Sequence, residues 1–539
     1  ASGSRSASPR ENTTGPRRAP HALSGAEQRR VRFQVTVRTY WMRKADQPSA
    51  VSGQALLPGF IDPHLHPMPM IFFAMNADLE HARDLAEVKV RLTSKLADLS
   101  EEEWLMGVQF EAKSLPAGEQ LTRRELDGMF PGKAVLIYSR DGHSVIVNTK
   151  ALDAAGIEES VEAPYGGVIG RYQDGSLNGI FEEKAIGLPM QHFPSPRPER
   201  MLAASQGVFD QLAEAGITSI GAMLQSDEEG PGGASSRMEA LLFPQLRGLI
   251  PQSVYAIIIG KTMEGIKSAI ESPLNDPDQH TVTRAFKIFA DGTFGSCTAC
   301  MTEPYADKTC SHGYMTLSDD EIYARMEAAH LAGYQVCIHA IGDKGIENCV
   351  RLFERLLDAH PRPGHRHRIE HASIASKDLV ARIAKAGLSI CTQPLFIRSE
   401  SDWLPRRLGE ARAAQAYPFR DFIDAGIVVA GSSDAPIEST DVVAALDFAV
   451  NRGGFHPEQG ISIEDALAMY TRNAAWLQFE EDLKGTLEHG KQADLVIGHF
   501  STEMMALYHN EGNGLFIDEG PRSAIGRATL LTLTFGCFF

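Results

Sequence analysis

His64-Leu65-His66 closes an extended run, GQALLPGFIDPHLHP, over residues 53–67. In an extended chain, residues i and i+2 point to the same face. The H-x-H therefore aims two imidazoles one way, as two ligands of one metal ion are aimed. Four more residues of metal-binding or proton-carrying type lie in or end later apolar, strand-like runs. These are Lys287 in RAFKIFADG, His339 in YQVCIHAIGD, His371 in HRIEHA and Asp434 in IVVAGSSDAP. Together they form a ligand set for zinc or a similar divalent ion. A buried ammonium at Lys287 would repel metals. A lowered pKa and reaction of the neutral amine with carbon dioxide resolves this, giving a carbamate with one oxygen for each of two metals. Glu303 and Asp291 compete for that bridging role.

Strands alternating with helices must position these residues. Strand-like runs fall near 55, 216, 253, 284, 334, 367, 388 and 427. Helical patterns lie between them at 201–214, 237–248, 318–332, 344–359, 376–386 and 418–425. Eight such units predict an α/β fold, a (β/α)8 barrel of the TIM type, with its active site at the C-terminal ends of the strands. A further helix is expected at 462–476, and a helix with a broad apolar face (Leu79, Leu85, Val88, Val90, Leu92, Leu96) at 78–98.

Residues 54–479 are thus assigned to the barrel, with a large insertion at about 67–200 laid over one end. In the insertion, 104–110 and 134–138 read as strands. Residues 31–53 and 480–539 are expected to form a small β domain, reduced in size, and residues 1–30 to be disordered.

The net charge of −17 argues against a nucleic-acid surface, which would be basic. No apolar run is long enough to span a membrane, and no apolar segment of a secretory leader follows the basic N-terminus. Seven cysteines, an odd and scattered set, speak for a reducing, cytoplasmic setting without a disulfide framework. The expected partner is a small molecule, with a homodimer as the default assembly.

The motifs LLPGFIDPHLH, DGHSVIVNTKAL, FKIFADGTFGSCTACMTEPY, CIHAIGDKGI, RIEHASI, GSSDAP and GTLEHGKQADLVI occur in this order over about 53–498. Together they resemble the amidohydrolase superfamily, and within it the amidohydrolase 3 branch, which includes N-substituted formamide deformylases. The resemblance implies a barrel with a small β-sandwich domain built from both chain ends. It implies a metal-dependent hydrolase that cleaves an amide or formamide C–N bond with a metal-activated hydroxide, Asp434 serving as general base. It also implies that His64, His66, Lys287, His339, His371 and Asp434 hold the metal, zinc first among the candidates, as one ion or two. The chain departs from the family in having only residues 31–53 to serve as sandwich before the first barrel strand, and in its ending after Gly498.

Other candidates carry two readings each. His143, in RDGHSV, is a catalytic contact to substrate or a loop histidine of the insertion. Arg140 and Asp141 bind substrate or form a surface turn. Met68 and Phe72 line an apolar substrate pocket or belong to the core. Cys297-x-x-Cys300 with Cys310 and His312 has the spacing of a zinc knuckle, but unpaired cysteines are the preferred reading. Glu370, beside His371, is expected on the opposite strand face as a structural residue. Rival functions are a deaminase or an ester or carbamate hydrolase on the same site, or a non-catalytic regulatory barrel.

Overall fold

The computed structural model describes residues 37–39, 54–140, 142, 144–164, 167–194, 196–226, 239–260, 267, 281–499 and 515–516. Eight parallel strands form its centre. In chain order they are Phe60–Leu65, Ile217–Gln225, Ser253–Ile259, Thr281–Phe289, Gln335–Ala340, Arg368–His371, Ser389–Thr392 and Val429–Gly431. The protein has the α/β fold and TIM-type barrel that the strand count predicts. The eighth strand is tied to the first at the mouth, where Asp434 N–H donates to His64 O at 2.9 Å and His66 N–H to Ala435 O at 2.8 Å.

Period-two alternation sorts side chains between two layers. Tyr255, Ile257 and Ile259 fill the barrel with Met223, Ala285 and Cys337. Val254, Ala256 and Ile258 point outward into the layer shared with the helices, as do Val336, Ile338 and Ala340. Each such fully buried aliphatic side chain contributes roughly 1.5–3 kcal/mol. The helices start where capping chemistry allows. Ser318 and Glu321 form a reciprocal capping box at the helix Asp319–Leu331.

The first predicted strand, 54–62, is two strands. Gln54–Pro58 pairs with Leu495–His499, and Phe60–Leu65 belongs to the barrel. Gly59 stands at the handover because a Cβ there would lie 2.2 Å from Thr218 Oγ1. The small sheet thus takes in 54–58 as well, with strand order Val37–Thr39, Leu495–His499, Gln54–Pro58, Leu515–Phe516. It is built from both chain ends. Residues 1–30 lie outside the described residues.

The insertion carries more order than its sequence pattern suggests. A six-stranded sheet runs Ala77–Asp78, Leu105–Phe110, Val135–Ser139, Ser144–Val147, Leu177–Glu183, Gly167–Arg171. Leu105, Val135, Ile137 and Ile146 face one core, and Met106, Val108, Leu136, Val145 and Val147 face another. The helix expected at 78–98 is shorter, Leu85–Ser94, because Asp84 caps it. Val88 and Leu92 are buried on it, but Val90 is 69% exposed. The helix expected at 462–476 breaks in two at Tyr470 and Thr471. Among the described residues, no helix is long and apolar enough to cross a membrane.

Candidate metal centre

His64 sits at the barrel mouth, fully buried. Its Nδ1 lies 2.6 Å from Glu370 Oε2. A carboxylate can only accept, so the imidazole proton sits on Nδ1 and the Nε2 lone pair faces the centre. Two other histidines are oriented by the same logic. His371 Nδ1 lies 2.8 Å from Gln393 Oε1, leaving Nε2 free to ligate. His339 Nε2 donates to Gly292 O at 3.1 Å, leaving Nδ1. In each case an acceptor behind the ring fixes the tautomer, an arrangement typical of metal-binding histidines.

The donors converge. His64 Nε2 and His66 Nε2 each lie 3.1 Å from Asp434 Oδ1. Ligand atoms of His64, His371 and Asp434 all lie within 4.8 Å of one another. Lys287 Nζ is 3.4 Å from His64 Nε2. The His339 and His371 rings meet edge to face at 4.5 Å. All six residues predicted from strand ends therefore gather at one end of the barrel.

This donor set fits a divalent cation for a specific reason. The His64 Nε2 lone pair and the Asp434 carboxylate face each other at 3.1 Å. Two lone pairs at that distance repel unless a proton or a cation lies between them, and buried charges are paired or coordinate metal. Nitrogen and oxygen donors in this mix suit zinc and its neighbours in the transition series. A second cluster, His64, Glu370 and Cys391, has the spacing of a site. There the Arg368 guanidinium already holds Glu370, and no place is left for a cation.

Burial and charge tune these groups together. Burial lowers the pKa of Lys287, while Glu370 and Asp434 pull it back up. Burial, followed by the Lys287 charge, brings His339 down to about 3. Burial and the adjacent His339 hold His371 well below the ordinary imidazole value. Burial also lowers His66, against the pull of Asp434. For Asp434 burial works upward, but His64, His66 and His371 outweigh it and the carboxyl stays ionised. Neutral imidazoles and an ionised carboxylate are the forms that bind metal.

Glu370 is where the expectation fails. It does not lie on the far face from the site. His371 has φ +72 and Ala372 φ +47, so the alternation breaks at His371. Glu370 and Arg368 keep the barrel-facing parity, and His371 is turned back toward them. Asp62 is a second residue that the sequence reading missed. Its Oδ1 accepts from the backbone N–H of His64 at 3.2 Å and of Ser433 at 3.3 Å, stitching the first strand to the loop before Asp434. Burial raises its pKa to about 6.

Of the competing carboxylates, Asp291 borders the site, its Oδ1 3.7 Å from His339 Nε2, but its oxygens are occupied. Asp291 accepts from the N–H groups of Cys300, Ile341 and Gly342 and staples loops. Glu303 is exposed. Arg140 Nη1 lies 3.2 Å from Glu80, and Nη2 3.8 Å from the buried Glu438. Met68 packs against the main core, and Phe72 meets Phe193 at 5.9 Å. Asp141 and His143 lie outside the described residues. Cys297 is buried with its Sγ 2.8 Å from an Arg407 nitrogen, Cys310 is exposed, and no metal cluster forms around them among the described residues.

Comparisons with known proteins agree with this geometry. The sequence model of the amidohydrolase family matches residues 51–507. YtcJ of Bacillus subtilis is 28% identical, with 83% of this chain and 84% of YtcJ covered. An N-substituted formamide deformylase of Arthrobacter pascens is 24% identical, with 85% and 86% covered. Among solved structures, an uncharacterised metal-dependent hydrolase of Pyrococcus furiosus superposes with a TM-score of 0.66 at 26% identity, covering 83% of this chain and 87% of that one.

Proposed function

The chain belongs to the amidohydrolase family, and we propose that it is a metal-dependent hydrolase of an amide or formamide C–N bond in a small molecule. The observation that carries this reading is the convergence of His64, His66, His371 and Asp434 on one buried point, with His64 Nε2 and Asp434 Oδ1 3.1 Å apart. These four residues would hold a divalent ion, with zinc favoured by the donor types. His339 and Lys287 would complete the set for one ion or two. Such an ion supplies Lewis acidity, polarising a carbonyl oxygen and making water a nucleophile near neutral pH.

The chain's own residues do the rest. Asp434, kept ionised, accepts a proton at a carboxylate oxygen and hands it to the departing amine. Glu370 and Gln393 hold the His64 and His371 rings in their ligating tautomers. Lys287, with its lowered pKa, is suited to take up carbon dioxide as a carbamate, losing one proton and gaining two oxygens for a bridge. Met68 and Phe72 stand on the helix Pro67–Met75 that begins directly after His66, and would offer an apolar wall to the substrate. Arg140, from the insertion, would add a contact to its polar end.

The formamide deformylase relative makes N-substituted formamides the first compounds to test. Protein loaded with zinc, manganese or nickel is offered N-formyl amines, N-acyl amines, carbamates and esters, and release of amine or, for the esters, alcohol is followed. Turnover of formamides or amides is expected. Turnover of esters alone would move the reaction class, and no turnover with any of the three metals would overturn the proposal.

A further inference from the structure

Asp434 closes the ligand set from a short loop, and that loop is held from two sides. On the barrel side it is bonded to His64 and His66 through the backbone pairs Asp434 N–H to His64 O and His66 N–H to Ala435 O. On the other side the insertion reaches across. Gln109 donates from Nε2 to Pro436 O at 2.8 Å, over a sequence separation of 327 residues. Arg140 adds a looser link to Glu438 Oε1 at 3.8 Å. No described strand of the insertion sheet pairs with the barrel, so the join is made by side chains.

Gln109 occupies an unusual place to make this contact. Its φ is +61, in the left-handed region, inside the strand Leu105–Phe110. The pairing of that strand with Val135–Ser139 slips between Gly107 and Phe110, a bulge. Glycine takes such a conformation freely, and a residue with a Cβ does not. Bulges next to active sites re-aim side chains, and strained backbone gathers where function needs it. A glycine here would serve the backbone better. What the glutamine adds is its amide, and the amide is directed at the loop that carries Asp434.

We propose that Gln109 is a positioning residue, which holds the 434–438 loop so that Asp434 Oδ1 faces His64 and His66. The insertion is then part of the metal centre's scaffold as well as its cover. This rests on the metal-centre reading above, and it says nothing about the substrate.

The test is a zinc titration together with thermal melting of the metal-free full-length chain, for wild type, Gln109→Gly and Gln109→Glu. Gln109→Gly relieves the backbone and removes the donor. It is expected to melt at or above wild type and to bind zinc about tenfold more weakly, the usual effect of losing an outer partner of a ligand. Gln109→Glu keeps the shape, sets an acceptor against Pro436 O, and is expected to lose at least as much affinity. Wild-type affinity in both variants would overturn the proposal. So would a Gln109→Gly protein that loses melting temperature and affinity together, since that marks a general structural role. A wild-type chain that binds no zinc, manganese or nickel would instead remove the metal-centre reading, and the proposal with it.

Discussion

Glu370 Oε2 lies 2.6 Å from His64 Nδ1, and the other oxygen of the same carboxyl group is held by the Arg368 guanidinium. All three side chains are fully buried. Burial raises the Glu370 pKa, but the Arg368 charge and the hydrogen bond from His64 outweigh it and keep the carboxyl ionised. One carboxylate thus holds the ring of a candidate ligand and neutralises a buried arginine. Glu370→Gln separates the two duties. The amide can still accept from His64, but Arg368 is left without a counter-charge. A loss of about 3–5 kcal/mol in stability is expected from the unpaired charge, with metal affinity near wild type because the hydrogen bond that sets the His64 tautomer is kept. Chemical denaturation and metal titration of the same sample check both. A variant as stable as wild type would contradict the pairing with Arg368, and a fall in metal affinity of about tenfold or more would mean that Glu370 acts through its charge and not by orienting His64.

Asp434→Asn preserves shape and removes the negative charge. His64 Nε2 then faces an amide, and the proton acceptor is gone. Turnover of any substrate found is expected to fall about 10²–10⁴-fold or more, while metal content falls only in part because the histidines remain. Elemental analysis beside steady-state kinetics tells the two effects apart. Undiminished turnover would remove Asp434 as the base.

A histidine cluster on the far side of the barrel from the metal predicts an acid-sensitive melting curve. Val336 N–H donates to His367 Nδ1 at 2.9 Å, and His367 Nε2 meets His330 Nδ1 at 2.8 Å. His330 Nε2 then donates to His360 O at 2.9 Å, so both rings are neutral. Burial comes first in holding His367 far below the ordinary value, and the neighbouring His365 and Arg362 add to it. His365 itself is brought down to about 4 by burial, then by Arg362 and His330. Glu327, 3.0 Å from His360, is the carboxylate that faces the cluster.

The unfolded chain binds protons near pH 6.5, whereas in the fold His365 does so near 4 and His367 well below the ordinary value, so the unfolded state holds more protons as pH falls below about 6.5. This contribution to stability is complete above about pH 6.5 and is lost as pH falls toward about 4. His367→Gln can keep both hydrogen bonds without titrating. It is expected to cost about 1–2 kcal/mol at pH 7.5, with the gap to wild type narrowing as pH falls to 5. A constant gap would contradict the neutral-cluster assignment.

Gly221 has no room for a side chain. A Cβ there would lie 2.0 Å from Pro63 O and 2.3 Å from Pro63 C, both backbone atoms of the strand that carries His64. Gly221→Ala must push that strand away, and a loss of about 3 kcal/mol or more is expected, together with weaker metal binding. Melting and metal titration check it, and a neutral substitution would mean that the first strand can shift without loss.

The cluster at the barrel mouth was legible because it combines a residue type with a place. His64, His66, Lys287, His339, His371 and Asp434 each lie in or after a strand-like run, and parallel barrels bring such positions together. What supports the ligands was not legible. Glu370 follows an alternation rule that holds up to His371 and fails there, where φ turns positive without a glycine to announce it. A usable signal was Arg368 two residues before Glu370 in a buried strand, since buried opposite charges of the same parity face inward and need partners. Asp62 reaches Ser433 only where the barrel comes together, across 371 residues, and Gln393 reaches His371 between neighbouring strands, across 22 residues. Two of the six strands of the insertion sheet were read, and Ser144–Val147 and Gly167–Arg171 are among those too short to show a period on their own. The division at Gly59 is invisible in the run QALLPGFID, whose apolar character does not change between the two sheets.

The most direct measurement is metal stoichiometry by elemental analysis, on freshly purified wild-type protein and on His371→Ala, both before and after reloading with zinc. His371 is one of the three residues whose ligand atoms lie within 4.8 Å of one another. At least one divalent transition-metal ion per wild-type chain is predicted, and the folded variant should retain markedly less. A wild-type chain that stays metal-free after reloading, or a variant that holds as much metal as wild type, would contradict the assignment of the barrel mouth as a metal centre.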